Sequence, residues 1–309
     1  MMSPDKILIA TTSFAEEDKR PLLLLEKAGF SIVTNPYGHR MTGDELATLS
    51  KDVIAVIAGT EKWDECAIRN APRLKVLSRC GAGMDNVDLR AAQRADIKVF
   101  NTPDAPTESV AELTLALMLA TLRRIGEMNT QLHQKQWARK MGGLLNGKTV
   151  GLIGLGRIGR RVAELLKPFD VRLLAAESKP DTAFAKRQKI ALVSLSALLK
   201  NADIVSLHLT LNDHTRRLLC KETLSLMKDG AILINTARGE LTHEEALMEA
   251  LRSGKLAGAG LDVFAEEPYQ GGLLSLPNVV ATPHVGGYTR EGRASMEHDA
   301  AQNLIRGLK

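Results

Sequence analysis

Cysteine and long apolar runs are scarce in this sequence of 309 residues. Its three cysteines, Cys66, Cys80 and Cys220, are an odd number without the spacing of a metal site. This predicts free thiols in a reducing cytoplasm, with neither a disulfide framework nor a metal centre. The apolar runs reach only about five or six residues, whereas a membrane-spanning helix needs about 20. We therefore expect a cytoplasmic protein without a membrane segment.

Aromatic residues are also few, at 4% of the chain, and the positive charge is dispersed. The formal net charge is +5, but the densest basic pairs, Lys186-Arg187 and Arg216-Arg217, lack interleaved aromatic side chains. Nucleic-acid sites combine a basic surface with aromatic groups that stack on bases. We expect no nucleic-acid partner.

The sequence does contain apolar, β-rich runs that alternate with helical patterns from end to end. This order is typical of parallel sheets in an α/β protein, and the length suits two domains. Strands are predicted at 7–10, 32–34, 53–58, 76–77, 98–100, 150–153, 173–176, 204–208, 231–235, 260–263 and 279–281. The last six of these match the number in a dinucleotide-binding domain. Two segments, Thr42-Gly-Asp-Glu45 and Thr242-His-Glu-Glu245, fit capping boxes at helix N-termini.

A glycine-rich turn near the middle of the chain predicts a dinucleotide site. The apolar run 149–153 ends in Gly154-Leu155-Gly156-Arg157-Ile158-Gly159 and passes directly into an amphipathic helical pattern. In such a unit Gly154 permits the turn, Gly156 lets the backbone approach a pyrophosphate, and Gly159 lets the helix pack on the strand. The phosphates would then meet free N–H groups and the positive end of the helix dipole.

An acidic residue after the next predicted strand favours NAD over NADP. Glu177 follows the apolar run 171–176 and lies 18 positions beyond Gly159. A carboxylate there can accept hydrogen bonds from ribose hydroxyls and repels a 2′-phosphate. A solvated glutamate at a strand end is the alternative, and Lys179 could weaken the discrimination.

Domain boundaries follow from the segments around this unit. Residues 106–125 read as a long, largely buried helix, 123–147 as a polar arm that packs on a second subunit, and about 290–308 as a terminal helix. The first five predicted strands lack a segment that completes their domain unless the terminal helix packs on them. We therefore expect one domain of residues 1–101 plus 285–309. The inserted domain comprises residues 102–284 and includes the linker helix and the dimerisation arm, 106–147.

Three segments follow predicted strands of the inserted domain, at the edge where ligands bind in doubly wound sheets. Arg238, beside a glycine turn, can form bidentate hydrogen bonds with a carboxylate. Asp262 ends a strand, and the proline after Glu267 holds that residue extended. His284 precedes two glycines that allow close backbone approach. Taken singly, Arg238 could be a surface residue, Glu267 part of a solvated loop, and His284 a structural histidine.

Together these motifs resemble the D-isomer-specific 2-hydroxyacid dehydrogenases. The resemblance is carried by GLGRIG (154–159), NTARG (235–239), LDVFAEEP (261–268) and PHVGG (283–287), and upstream by RCGAGMDNVD (79–88), NTP (101–103) and SVAE (109–112). The motifs cover nearly all of the chain and are most like the D-3-phosphoglycerate dehydrogenase branch, in a short form without the regulatory C-terminal domain. The resemblance implies an α/β fold with two doubly wound parallel-sheet domains: a discontinuous, flavodoxin-like substrate domain and an inserted Rossmann NAD-binding domain.

By this resemblance Arg238, Glu267 and His284 match the catalytic triad of the family. In the reducing direction, nicotinamide delivers a hydride to C2 of a 2-oxo acid. Arg238 would hold the substrate carboxylate and polarise the carbonyl. His284 would donate a proton to the forming alkoxide, and Glu267 would fix the tautomer of His284 and keep its charged form available near neutral pH.

The resemblance also implies cofactor and substrate contacts. NAD contacts are expected at Gly154, Gly156, Arg157, Ile158 and Gly159 in the pyrophosphate turn, at Glu177 on the ribose, at Asp262 on the carboxamide, and at Thr236, Gly286 and Gly287 along the nicotinamide half. Ala82 and Gly83 belong to the loop that grips the substrate carboxylate. Arg79, and Arg139 supplied by the partner in a homodimer, match contacts to a substrate phosphate, whereas Ala58 stands where the branch has another phosphate-binding arginine.

The expected function is hydride transfer between NAD and C2 of a D-2-hydroxy acid or 2-oxo acid, with 3-phosphoglycerate and 3-phosphohydroxypyruvate as the first candidates. A glyoxylate or hydroxypyruvate reductase, or another D-2-hydroxyacid dehydrogenase, is the alternative within the enzyme class. An NAD-sensing corepressor of similar sequence is the alternative outside it.

Overall fold

The computed structural model describes residues 4–309, which form two compact units. The five-stranded unit comprises the chain up to Pro106 together with Gly287–Lys309, and the seven-stranded unit comprises Thr107–Gly286. These boundaries lie five and two residues beyond the predicted ones. The first boundary falls where the helix Thr107–Leu122 begins. The second boundary keeps Val285 and Gly286 in the seven-stranded unit, where both residues are hydrogen-bonded to Asp262.

The five-stranded unit is a parallel sheet in the flavodoxin-like order β2-β1-β3-β4-β5. Its strands are β1 (Lys6–Ile9), β2 (Ser31–Thr34), β3 (Ala55–Ala58), β4 (Val76–Arg79) and β5 (Lys98–Asn101), and its first helices are α1 (Arg20–Lys27), α2 (Gly43–Ser50), α3 (Glu65–Arg69) and α4 (Leu89–Arg94). The capping box predicted before α2 is present, because Thr42 accepts the N–H of Glu45 and the Glu45 carboxylate accepts the N–H of Thr42. Such reciprocal bonds satisfy two N–H groups that a helix terminus leaves unpaired.

The seven-stranded unit is also wholly parallel, in the order β12-β11-β10-β9-β6-β7-β8. Its strands are β6 (Thr149–Ile153), β7 (Arg172–Ala176), β8 (Ala191–Leu192), β9 (Ile204–Leu207), β10 (Ala231–Asn235), β11 (Leu256–Leu261) and β12 (Val279–Ala281). Six of them reproduce the Rossmann order 3-2-1-4-5-6, and β12 extends the edge beyond β11. The sequence predicts six strands here and omits β8, because two exposed residues carry no apolar pattern.

Seven helices accompany this sheet among the described residues: α5 (Thr107–Leu122), α6 (Ile125–His133), α7 (Arg157–Leu166), α8 (Thr182–Arg187), α9 (Leu195–Asn201), α10 (Lys221–Ser225) and α11 (Glu244–Arg252). Helix α5 is largely buried, as its apolar composition predicts. The second predicted capping box is wrong, since α11 is capped by His243, whose ring accepts the N–H of Ala246. Thr242 instead forms a β-bridge with Leu219, which removes it from the cap position.

The C-terminal helix α12 (Arg290–Leu308) packs on the five-stranded sheet. Its buried face includes Met296, Ala300 and Leu304, which join the core formed by β1, β3 and β4. Ser78 on β4 donates a hydrogen bond to the carbonyl of Ala300 at 2.8 Å. Helix α12 thus completes a core that residues 4–106 begin. None of the helices in residues 4–309 has the length and apolar character to span a membrane.

Candidate active site

The glycine-rich turn lies between β6 and α7, at the carboxyl edge of the seven-stranded sheet. Gly154 has a φ of +97°, a conformation that side-chain-bearing residues rarely adopt. A Cβ on Gly159 would collide with the carbonyl oxygen of Gly154, so only glycine lets α7 begin this close to β6. Arg157 is exposed at the first position of α7, and Ile158 is half-buried against the core.

Glu177 follows β7 and holds the glycine-rich turn. Its carboxylate accepts the N–H of Leu155 at 2.8 Å, the N–H of Lys179 at 3.0 Å and the hydroxyl of Ser178 at 3.1 Å. Partial burial acts to raise the pKa of Glu177, but these hydrogen bonds outweigh it and hold the pKa below its ordinary value. The group is therefore negatively charged at neutral pH, in the position that the sequence predicts for a ribose contact.

His208 lies at the same edge, directly after β9, and is not among the site residues predicted from the sequence. Its carbonyl oxygen is 2.5 Å from where a Cβ on Gly154 would lie. The segment after β9 therefore contacts the glycine-rich turn. Its ring pairs with the hydroxyl of Ser206 at 2.9 Å, and burial lowers the pKa of His208 to about 4. The imidazole is therefore neutral at physiological pH. The predicted strand 204–208 includes His208, whereas β9 ends one residue earlier and makes it a strand-end residue.

Arg238 lies in the turn after β10. The side-chain amide of Asn235 donates to the carbonyl of Arg238 at 2.8 Å and accepts the N–H of Ala237 at 3.0 Å. A Cβ on Gly239 would collide with the main chain of Phe264, so this turn packs directly on the loop that follows β11. The turn that carries Arg238 is thus held from both sides. The nearby Thr236 is buried, and its hydroxyl bonds to that of Thr114 on α5 at 2.8 Å.

Glu267 and His284 form a hydrogen-bonded ion pair. Nδ1 of His284 lies 2.7 Å from Oε2 of Glu267, while Oε1 of Glu267 accepts the N–H of Phe264 at 3.1 Å. Burial acts to raise the pKa of Glu267, but the bond and charge of His284 outweigh it, with smaller contributions from the Phe264 N–H and the charge of Arg238. The pKa of Glu267 therefore lies below its ordinary value. Its carboxylate is ionised at neutral pH and bonds to Nδ1 of His284.

Asp262 fixes the turn that carries His284. Its carboxylate is buried and accepts the Thr282 hydroxyl at 2.6 Å and the N–H groups of Val285 and Gly286, both at 2.8 Å. Burial raises the pKa of Asp262 despite these bonds. His284 itself has a φ of +54°, a left-handed conformation that costs about 1–3 kcal/mol in residues other than glycine. The bonds to Asp262 stabilise that conformation, whereas a contact of Asp262 with a carboxamide stays a prediction.

The other predicted substrate residues lie in the five-stranded unit. Arg79 ends β4, and its guanidinium donates to the carbonyl of Cys80. The loop after β4 contains Ala82 and Gly83, and Asn101 donates to the carbonyl of Ala82 at 2.8 Å. This loop lies at the carboxyl edge of its own sheet.

Arg139 and Gly287 are also among the predicted site residues. Arg139 is exposed in the segment after α6, and Gly287 belongs to the five-stranded unit, where a Cβ would lie 3.2 Å from Met296. Gly286, by contrast, is buried beside Asp262 in the seven-stranded unit.

The carboxyl edge of the seven-stranded sheet fits a dinucleotide. A Cβ on Gly156 would meet no atom of residues 4–309 within 4 Å, so the backbone is open to a ligand there. No side chain in the described part of the chain caps α7, an arrangement that leaves a helix N-terminus suited to anions. The ionised Glu177 follows the neighbouring strand, as a ribose-binding acid does in this fold.

Sequence comparisons agree with this geometry. A family model described as "D-isomer specific 2-hydroxyacid dehydrogenase, NAD binding domain" matches residues 115–286. The chain is 40% identical to a hydroxypyruvate reductase of Thermotoga maritima, with 86% of this chain and 88% of the relative covered. It is 41% identical to a D-3-phosphoglycerate dehydrogenase of Methanocaldococcus jannaschii, with 87% of this chain covered but only 52% of that longer protein. It is 39% identical to a glyoxylate reductase of Thermococcus litoralis, with 80% and 77% covered.

Solved structures show the same fold. The TT0316 protein of Thermus thermophilus superposes with a TM-score of 0.89 at 38% identity, covering 98% of this chain and 96% of its own. A D-lactate dehydrogenase of Aquifex aeolicus, complexed with NAD and lactic acid, superposes with a TM-score of 0.83 at 28% identity, covering 96% and 93%. The predicted family, fold class and NAD cofactor are confirmed. The chain belongs to the D-isomer specific 2-hydroxyacid dehydrogenase family, and its seven-stranded unit is the NAD-binding domain.

Proposed function

We propose that this NAD-dependent dehydrogenase reduces short, unphosphorylated 2-oxo acids to D-2-hydroxy acids, with hydroxypyruvate and glyoxylate as its substrates. The observation that carries the proposal is the Glu267–His284 ion pair, 2.7 Å long, on loops beside Arg238 at the carboxyl edge of the NAD-binding sheet. A cofactor-binding edge with a polarised acid–base pair suits proton and hydride transfer to a carbonyl. When bound, NADH supplies the hydride.

His284 is the proton donor in this proposal. Because Glu267 binds Nδ1, Nε2 of His284 is left to donate a proton to the oxygen that forms at C2. The same group accepts that proton when the hydroxy acid is oxidised. Glu267 acts through His284 and touches no substrate.

Arg238 binds and orients the substrate. A guanidinium can hold a carboxylate through two parallel hydrogen bonds, which fixes the direction of the adjacent C2 carbonyl. The Asn235 bonds hold the main chain of Arg238 in place before substrate arrives, so less freedom is lost on binding.

Two observations support an unphosphorylated substrate. Ala58 ends β3 where the phosphoglycerate dehydrogenase branch carries an arginine. Relatives named hydroxypyruvate reductase and glyoxylate reductase are as similar to this chain as those named phosphoglycerate dehydrogenase, and the chain covers more of their length.

The second candidate substrate is 3-phosphohydroxypyruvate. It is favoured by Arg79 at the carboxyl end of β4 and by Arg139, whose exposure leaves it accessible to a second subunit. If it is the substrate, Arg79→Ala should lower kcat/KM for 3-phosphohydroxypyruvate about tenfold or more and leave glyoxylate turnover little changed.

We also propose a homodimer formed through the arm, residues 123–147, in the reducing cytoplasm. Large apolar side chains are exposed along this arm, namely Ile125, Leu132, Trp137, Met141 and Leu144. The three cysteines are free thiols, as a reducing compartment maintains them.

The test is a substrate panel of hydroxypyruvate, glyoxylate, 3-phosphohydroxypyruvate and pyruvate, each with NADH and with NADPH. We expect steady NADH oxidation, with the highest kcat/KM for hydroxypyruvate or glyoxylate. His284→Ala should lower kcat on the order of 10²-fold or more while NADH still binds. His214→Ala, an exposed histidine of the same unit, is the control. NADH binding without turnover of any 2-oxo acid would indicate an NAD sensor, and near-normal kcat in His284→Ala would exclude the mechanism.

A further inference from the structure

The loop that carries Glu267 is largely exposed. Between the buried residues Phe264 and Leu273, the side chains of Ala265, Glu266, Pro268 and Gln270 are all exposed to solvent. Such a segment has few contacts of its own to hold it. Glu267 is nevertheless placed within hydrogen-bonding distance of His284, so other residues of the loop must restrain it.

Tyr269, two positions after Glu267, makes the contacts that anchor this loop. Its ring stacks on that of Phe264, with centroids 4.2 Å apart and planes 14° from parallel. Its hydroxyl donates a hydrogen bond to the carboxylate of Glu244 on α11 and accepts the N–H of Leu273 at 3.3 Å. The chain then folds over the ring at Gly271, where a Cβ would collide with the Tyr269 hydroxyl.

Phe264 connects this anchor to the ion pair. The ring of Phe264 stacks on Tyr269, and its N–H donates to Oε1 of Glu267 at 3.1 Å. Oε2 of the same carboxylate binds His284 at 2.7 Å. A continuous set of contacts therefore runs from Glu244 through Tyr269 and Phe264 to the Glu267–His284 pair.

We propose that Tyr269 is a positioning residue of the active site, which holds the loop of residues 264–273 so that Glu267 stays in contact with His284. The inference rests on the proposed function, in which His284 transfers the proton. Stacked aromatic rings contribute about 0.5–1.5 kcal/mol beyond the area they bury, and the bond to a carboxylate adds to this. Burial and the neighbouring Glu244 raise the pKa of Tyr269 to about 12, so the hydroxyl donates throughout the range in which the enzyme works.

Two substitutions separate the two kinds of contact. Tyr269→Phe keeps the stacked ring and removes the bond to Glu244, whereas Tyr269→Leu removes both. We expect kcat for the 2-oxo acid to fall a few-fold in Tyr269→Phe and about tenfold in Tyr269→Leu, because small displacements of acid–base groups are costly. The KM for NADH should not change, since the glycine-rich turn and Glu177 are untouched.

The pH profile distinguishes positioning from a purely structural effect. In Tyr269→Leu the pH profile of kcat should change in the same way as in Glu267→Gln, because His284 loses its carboxylate partner in both variants. The matched control is Tyr37→Leu, which removes a tyrosine stacked on His39 at a centroid distance of 5.8 Å in the other unit. It should leave kcat and the pH profile unchanged.

The outcomes are distinct. If Tyr269→Leu and Tyr269→Phe unfold at lower temperature but keep the wild-type kcat and pH profile, Tyr269 only stabilises the fold and the inference is wrong. If Glu267→Gln and His284→Ala also leave kcat and its pH dependence unchanged, the proposed function fails instead. A shift shared by Tyr269→Leu and Glu267→Gln but absent in Tyr37→Leu supports the inference.

Discussion

At the scale of single residues, the candidate site depends on three carboxylates in different environments. Glu177 and Glu267 have lowered pKa values because hydrogen-bond donors or positive charge outweigh burial, whereas burial prevails at Asp262 and raises its pKa. Both glutamates are therefore ionised at neutral pH, Glu177 beside the glycine-rich turn and Glu267 beside His284. Asp262 uses its oxygens to bind the backbone of the His284 turn.

Glu267→Gln should change both activity and the pH dependence of stability. The substitution removes the charged partner of Nδ1 of His284, so kcat for 2-oxo acid reduction should fall and its pH dependence should change. Because the pKa of Glu267 is lowered in the folded state, its contribution to stability is present above the ordinary value of 4.5 and is lost as pH falls through the lower folded value. The free energy of unfolding of wild type should thus exceed that of Glu267→Gln near neutral pH and approach it in acid.

Urea unfolding between about pH 3 and 7, together with pH–rate profiles, measures both effects. Glu266→Gln is the matched control, since Glu266 is exposed beside Glu267. Superimposable profiles for wild type and Glu267→Gln would contradict the role given to this carboxylate.

Glu177→Ala should narrow the preference for NADH over NADPH. The Glu177 carboxylate is negative and bonded to the glycine-rich turn, so we expect it to repel a 2′-phosphate and to accept bonds from ribose hydroxyls. The ratio of kcat/KM for the two cofactors should fall by about tenfold or more, mainly through a higher KM for NADH. A wild-type enzyme with higher kcat/KM for NADPH than for NADH would show that this assignment is wrong.

At the scale of elements, the turns after β10, β11 and β12 support one another. The Arg238 turn packs on the Glu267 loop at Gly239, the Glu267 carboxylate binds His284, and Asp262 at the end of β11 binds the turn after β12. Parallel strands bring all three turns to one edge of the sheet, so residues distant in sequence become neighbours.

Gly239→Ala should disturb this contact between turns. The added methyl would collide with the main chain of Phe264 and Ala265, which cannot move aside as a flexible side chain would. We expect a loss of about 1–3 kcal/mol in the free energy of unfolding, with a fall in kcat. Gly43→Ala is the control, because a Cβ there meets nothing within 4 Å of the described chain. Thermal unfolding and kcat equal to wild type in Gly239→Ala would refute the close approach.

At the scale of the whole molecule, the arm of residues 123–147 exposes large apolar side chains. Trp137 and Met141 are 81% and 92% exposed, which is costly for large apolar side chains unless another surface covers them. Trp137→Asp combined with Met141→Asp should convert the proposed dimer into a monomer, as measured by sedimentation velocity. Leu23→Asp, at an exposed leucine of α1 in the other unit, should leave the dimer intact. A wild-type chain that sediments as a monomer would exclude the proposed dimer.

Much of the fold could be predicted from the sequence because its signals are local. The periodic apolar runs mark all the longer strands, and the glycines of the turn after β6 follow from backbone geometry that short stretches encode. Strand β8 was not predicted, because two exposed residues are too few to show an alternating apolar pattern. His208 was not predicted as a strand-end residue, because the predicted strand runs to 208 whereas β9 ends at Leu207.

Patterns in the amino-acid sequence predict the α/β class, the NAD-binding unit and the segments that carry Arg238, Glu267 and His284. The way those segments are held depends on tertiary contacts: Asp262 binds the His284 turn, Gly239 packs against the next loop, and Tyr269 bonds to Glu244 on α11. The tertiary structure likewise made His243 the cap of α11, by pairing Thr242 with Leu219. Hydrophobic periodicity and local composition report on residues that are near one another in the sequence. These tertiary contacts instead join residues that become neighbours only when the parallel strands align.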